Sequence, residues 1–312
     1  MANISVYDNN FLNIIDANAT PEILATADYN FAHEAGVYVM DSNEVYFTSN
    51  RLGDTSTADQ HVEINKINLS TKKVSNVNPE RSILLANGGT YNSGQVIICS
   101  QGQRDIGGSI VSLDPNSNKV TTIVDSYFGL KFNSPNDIVV SKDGCYWFTD
   151  PSYGYEQNFR DEPQLGNYVY RFDPSTNNIR VVADGFIKPN GIAFSPDERI
   201  LYITDTGYIG FVNGNINFDP MKPRTIYAYD VDGSVLSNRR VFAVIDVGVP
   251  DGIKTDVKGV ANFVFAGEGL KTLVMFAEKI IYSINLKVGG ALISKYKAED
   301  VLLLDKAAYH AT

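Results

Sequence analysis

Histidine is scarce in this chain of 312 residues: there are three, His33, His61 and His310. A Ser-His-Asp triad would need one of them by coincidence, and no G-x-S-x-G elbow is present. The phosphate loop G-x-x-x-x-G-K-[ST], the H-E-x-x-H zinc signature and C-x-x-C are also missing. Cysteine is limited to Cys99 and Cys145, each inside an apolar run, VIICS and GCYWF. They read as small core residues and not as a disulfide framework, although their spacing alone does not exclude a pair. No apolar stretch has the length of a membrane-spanning helix. The opening Met1-Ala2-Asn3-Ile4-Ser5 has no basic segment followed by an apolar run. The expectation is a cytoplasmic protein with no membrane partner.

Positive charge is outweighed as well. Lys and Arg number 26 against 36 Asp and Glu, a formal net charge of −10. A surface of that sign repels phosphate backbones, which excludes nucleic acid as a partner, and mildly attracts cations. Hydrophobic residues make up 44% of the chain, enough to bury a core.

Helical periodicity is hard to find, whereas short β-rich runs bounded by Gly, Asn, Asp and Pro recur throughout. The recurring phrases are SNEVYFTSN, NSGQVIICSQ, KDGCYWFTDP, DERILYITDT and KGVANFVFAG. Their turn residues Asp41, Asn92, Asp143, Asp197 and Asp256 are 51, 51, 54 and 59 residues apart. A four-stranded blade with short turns needs roughly 40–50 residues, so the period predicts an all-β propeller in one domain over 1–312. Inner strands are then expected at Glu34, Asn87, Asn136, Asn190 and Asp251. Residues that start strands at blade spacing lie at one end of a central channel. Glycines just after several of them, Gly88, Gly191 and Gly252, suit crowded backbones.

Glu, Asn and Asp side chains meeting at one end of a channel, with no His or Cys, form a hard-oxygen site suited to Ca²⁺ or another divalent cation such as Mg²⁺. Pro-Asn-Gly and Pro-Asp-Gly are also ordinary turn sequences. Three X-Pro-Asn/Asp motifs stand in phase, however: Ser134-Pro135-Asn136-Asp137, Lys188-Pro189-Asn190-Gly191 and Val249-Pro250-Asp251-Gly252.

With His33-Glu34-Ala35-Gly36, these motifs resemble the senescence-marker-protein/gluconolactonase family, and within it the fungal lactonohydrolase branch. The resemblance runs from His33 to the strand at 279–286. It implies a six-bladed propeller whose cation sits on Glu34, Asn136, Asn190 and Asp251. It also implies hydrolysis of a lactone or related ester, with Asp251 as base or nucleophile. Asp137, beside a ligand, is expected to orient Asn136 or a water. His33 is a possible proton shuttle, although alternation along a strand would point it away from Glu34. Asn87 is expected to bind substrate, with Tyr153, Tyr155, Tyr208 and Phe211 in loops that form a lid. Phe159 and Phe218 lie in the same loops. An aromatic lid favours an apolar or aromatic small molecule.

The chain departs from the pattern after Asp251. Only 11 residues separate it from Asn262, in a phrase that resembles the inner strand of a final blade. The expectation is six blades with an incomplete fifth and an N-terminal strand closing the last. The alternative is a smaller, five-bladed ring. The shortening places Asp251 in doubt and leaves two further functions open. One is an isomerase or cyclase using the same cation as Lewis acid, and the other a non-catalytic binding propeller.

Overall fold

The computed structural model describes residues 12–290, apart from 55–56, 58, 213–214, 247, 256–259 and 262–263. The chain forms a β-propeller with five complete blades, each an antiparallel sheet of four strands. The first blade runs outward through Glu34–Val39, Glu44–Thr48, Ile64–Asn68 and Val74–Asn76. The second begins at Ala86–Asn92 and Gln95–Ser100, the third at Ile138–Val140 and Tyr146–Asp150, and the fourth at Pro189–Phe194 and Ile200–Asp205.

Next comes a two-stranded stub, Lys254–Thr255 paired with Val260–Ala261, at the place of a fifth inner strand. The last blade follows with Val264–Ala266, Thr272–Ala277 and Ile280–Asn285. Its outermost strand is N-terminal: Glu22–Thr26 pairs with Ile280–Asn285. The first and last blades are thereby tied together through the chain that joins them. The fifth position is thus reduced to a stub beside five whole blades. Residues 291–312, and Asp256 and Asn262 of the recurring phrases, lie outside the described residues.

The local sequence explains the sheets. Turn carboxylates accept main-chain N–H groups two residues on: Asp143 from Cys145 at 3.1 Å, and Asp197 from Arg199 at 3.1 Å. Alternating side chains on the strands pack against the next blade. Val37, Tyr46, Ile98 and Val111 join the first and second blades. Phe132, Phe148 and Tyr170 lie in the second interface with Ile97 and Ile110. Trp147, Phe194, Leu201 and Ile203 fill the third. Val45, Phe47, Val264 and Val274 join first to last. Cys99 and Cys145 are buried and free. No helix of the described residues is long and apolar enough to cross a membrane.

Candidate metal centre

Inner strands neighbour one another around the channel, and their first residues collect at one end. Crowding there is tight. A Cβ on Gly88 would lie 2.3 Å from the Asn136 carbonyl oxygen, and one on Gly191 only 2.6 Å from that of Asp251. Glycine at these two places lets neighbouring inner strands meet backbone to backbone.

A cavity of about 270 Å³ opens above this end. Glu34, Asn87, Asn136, Asn190 and Asp251 all line it, so the five strand-start residues share one wall. Asn190 is buried, and its Nδ2 donates to the Tyr153 hydroxyl at 3.0 Å. Its Oδ1 finds no hydrogen-bond partner among the described residues. A buried carbonyl oxygen without a donor is costly, and a cation is one group that would satisfy it.

Electrostatics point the same way. Burial, and then the Asp251 charge, push the Glu34 carboxyl up to about 8. Burial also raises Asp251, against the opposing charge of His33 and a hydrogen bond from Asn190. Two desolvated carboxylates that disfavour each other's ionised form are what a divalent cation would relieve. Among the described residues no three His, Cys, Asp or Glu side chains gather as a metal cluster. A cation here therefore relies on amide oxygens beside two carboxylates, and Glu34, Asn136, Asn190 and Asp251 fit that demand.

His33 lines the same cavity as Glu34, where strand alternation placed it on the other side. The ladder is irregular at this point: Ala35 has φ 53° and the register shifts between Glu34 and Val37. His33 Nδ1 pairs with Glu278 Oε1 at 2.7 Å. Burial works against the imidazolium, but that bond and the charges of Glu34, Glu278 and Asp251 lift it to about 9.

Asp137 is not part of the cavity wall. It lies in a smaller space deeper in the channel, shared with Glu34 and Lys254, and the Lys254 Nζ is 3.2 Å from its Oδ2. Main-chain N–H groups of Ile138 and Ile192 also donate to it. Of the four expected lid aromatics, Tyr153 and Phe211 line the cavity. Tyr155 is half exposed and Tyr208 packs on Phe218 at 5.5 Å, both outside the wall. The rest of the apolar wall is aliphatic: Val62, Ile209, Ile216 and Val249. Phe159 is buried beneath Arg51, 6.0 Å from its guanidinium.

Several participants carried no local signal. Arg51 and Gln101 line the cavity, and Glu278 reaches His33 from 245 residues away. Lys188 was within a quoted motif, but its part emerges only in three dimensions. It is buried, 2.6 Å from Glu156 of the short helix Tyr153–Glu156, and lies between the rings of Tyr153 and Phe211. It thereby ties the helix to the hairpin Ile209–Val212/Asn215–Phe218.

Residues 33–279 match the model of the SMP-30/Gluconolactonase/LRE-like region. The lactonohydrolase OryL of Aspergillus oryzae is 32% identical over 246 residues, 73% of this chain and 55% of that protein. A gluconolactonase of Zymomonas mobilis is 32% identical over 177 residues, 53% of this chain and 45% of its own length. The chain thus spans about half the length of these relatives. A solved gluconolactonase from Xanthomonas campestris superposes with TM-score 0.69 at 22% identity, covering 90% of this chain and 94% of that one, a likeness of fold.

Proposed function

Since the chain belongs to the SMP-30/gluconolactonase/LRE-like family, we propose that it hydrolyses a lactone or related ester with a divalent cation, Ca²⁺ first, held by Glu34, Asn136, Asn190 and Asp251. The observation that carries this reading is the unpartnered, buried Asn190 Oδ1 on a wall shared with two mutually repelling carboxylates. Once bound, such a cation supplies Lewis-acid polarisation of the ester carbonyl and a more acidic water.

The chain's own groups do the remaining work. Asp251, on the cavity wall, accepts the proton of the attacking water at its carboxylate. His33, held by Glu278, presents its imidazole to the cavity, where it can donate a hydrogen bond to the developing oxyanion. Asp137 with Lys254 closes the channel beneath the site and neutralises charge there. Val62, Ile209, Phe211, Ile216 and Val249 offer an apolar surface to the substrate's body, while Asn87, Gln101 and Arg51 can hydrogen-bond its oxygens. The substrate is a small molecule with both characters. A reducing, cytoplasmic setting suits the two free cysteines.

A panel of lactones assayed with Ca²⁺ and with chelator tests the reading. Chelator-sensitive ring opening is expected, whereas a product of unchanged mass would point to isomerisation. In calorimetric titrations with Ca²⁺, Glu34→Gln and Asn190→Ala should each bind more weakly than the parent. Parent-like binding by both would place the cation elsewhere.

A further inference from the structure

Asn136, Asn190 and Asp251 share a form of support that does not come from their own blades. The Asn136 carbonyl accepts Gly88 N–H of the second blade at 2.8 Å. The Asn190 carbonyl accepts the Thr149 hydroxyl of the third blade at 2.6 Å. The Asp251 carbonyl accepts the Thr204 hydroxyl of the fourth at 2.7 Å. Thr149 and Thr204 occupy matching places near the ends of second strands, in the phrases WFTD and YITD. Each hydroxyl also accepts an N–H from its own inner strand, Asp137 N at 3.2 Å and Gly191 N at 2.8 Å. Cys99 stands at the matching place in the second blade, where a thiol is a weak donor, and there Gly88 N–H makes the link directly.

Asp251 is gripped twice: the Thr206 hydroxyl also donates to the Pro250 carbonyl at 2.8 Å. Its own scaffold is slight, a two-residue strand paired with another of two residues. Thr204 and Thr206 are buried and belong to a whole blade. A buried bond of this kind is held firmly, since losing the hydroxyl would leave both the Asp251 carbonyl and Gly191 N–H unpaired.

We propose that Thr204, seconded by Thr206, is the positioning residue that fixes Asp251 in the ligand ring, making up for the short two-residue pairing at the fifth position. The inference rests on the cation reading of the ring, and it adds that Asn136, Asn190 and Asp251 are each set by the preceding blade.

Two measurements test it on the full chain with Thr204→Val, Thr204→Ser and, as a matched comparison, Thr149→Val. Hydrogen exchange without metal reads the anchoring alone. Thr204→Val should exchange faster over 249–255, Thr149→Val over 188–192 instead, and Thr204→Ser should behave as the parent. Calorimetric titration with Ca²⁺ reads the consequence: about tenfold weaker binding or more in Thr204→Val, restored in Thr204→Ser. Parent-like exchange over 249–255 in Thr204→Val overturns the proposal. So does parent-like affinity in that variant when the parent binds. If the parent binds no divalent cation, the ring reading fails, and hydrogen exchange alone decides whether Thr204 anchors Asp251.

Discussion

The third blade and the fifth position each bring one polar side chain to the same cavity, on very unequal scaffolds. Asn136 leads into Ile138–Val140, which is paired with Tyr146–Asp150 inside a four-stranded sheet. That sheet is packed on both faces, by Phe132, Phe148 and Tyr170 on one and by Val139 and Trp147 on the other. Asp251 leads into two residues paired with two. The fourth blade, beside the stub, packs on the third through Leu201 and Ile203, while alternation carries Tyr202 to the other face, where it meets a half-exposed Phe242 at 5.0 Å. Both side chains nevertheless reach the cavity. The difference teaches that a side chain can reach the channel from a slight scaffold when the neighbouring blade holds its main chain, as Thr204 holds the Asp251 carbonyl.

The largest expected effect tests whether Asp251 works as well as Asn136 despite its slight support. Asp251→Asn should lower kcat by roughly 10²–10⁴-fold on any lactone the parent opens, because an amide cannot take the proton. Substrate should still bind. Parent-level turnover would remove Asp251 from the chemistry and leave the fifth position a vestige.

Core truncations sharpen the same comparison through stability. Ile203→Ala, in the packed interface of the third and fourth blades, should cost about 2–5 kcal/mol in denaturant unfolding. Ile253→Ala, buried beside the stub, should fall at or below the lower end of that range, since a pairing of two residues with two can relax into the space more readily than a four-stranded sheet. Equal costs would mean that the stub is as well supported as a whole blade.

Cation linkage comes next. Ca²⁺ at a hundredfold excess over Kd should stabilise the fold by about 2.7 kcal/mol, read as a higher Tm than in chelator. Asp251→Asn should shrink that shift more than Asn87→Ala does, because Asn87 is not among the ligands. An identical Tm with and without Ca²⁺ would remove the cation from the ring.

The smallest effect is the pH dependence in chelator. Burial and then Asp251 raise Glu34 from 4.5 to about 8 in the folded chain. The folded state therefore holds a proton that the unfolded state releases, so this group's contribution falls as pH rises from about 4.5 through about 8. Glu34→Gln should flatten that part of the stability profile. An unchanged slope in the variant would assign it to another group.

Much of this arrangement was legible in the chain. Blade-length spacing of short aromatic strands gave the propeller, and the phase of the three X-Pro-Asn/Asp motifs gathered Asn136, Asn190 and Asp251 correctly at one end. An N-terminal strand was expected to close the last blade, and Glu22–Thr26 does so. Other features were not legible. His33 was turned away from the site by an alternation rule that a bulge and a left-handed Ala35 break. Tyr155 and Tyr208 were put in the lid on composition alone, yet which loop side chains face inward is set by Lys188 and the hairpin it grips. Asp137 was assigned to its chain neighbour Asn136, but its partner Lys254 comes from across the channel, 117 residues away.

By itself, then, the sequence determined periodicity, and with it the fold class, the channel and the end of the channel where oxygen-bearing side chains collect. These follow from local patterns repeated at one interval, and a repeat must stack its units to bury their apolar faces. Tertiary structure alone decided which groups pair within that ring. His33 with Glu278, Asp137 with Lys254, and Asp251 with Thr204 are each joined across 47 residues or more. Such partners meet only when the ring closes, because a hydrogen bond or ion pair depends on separations of a few ångströms that sequence distance does not encode.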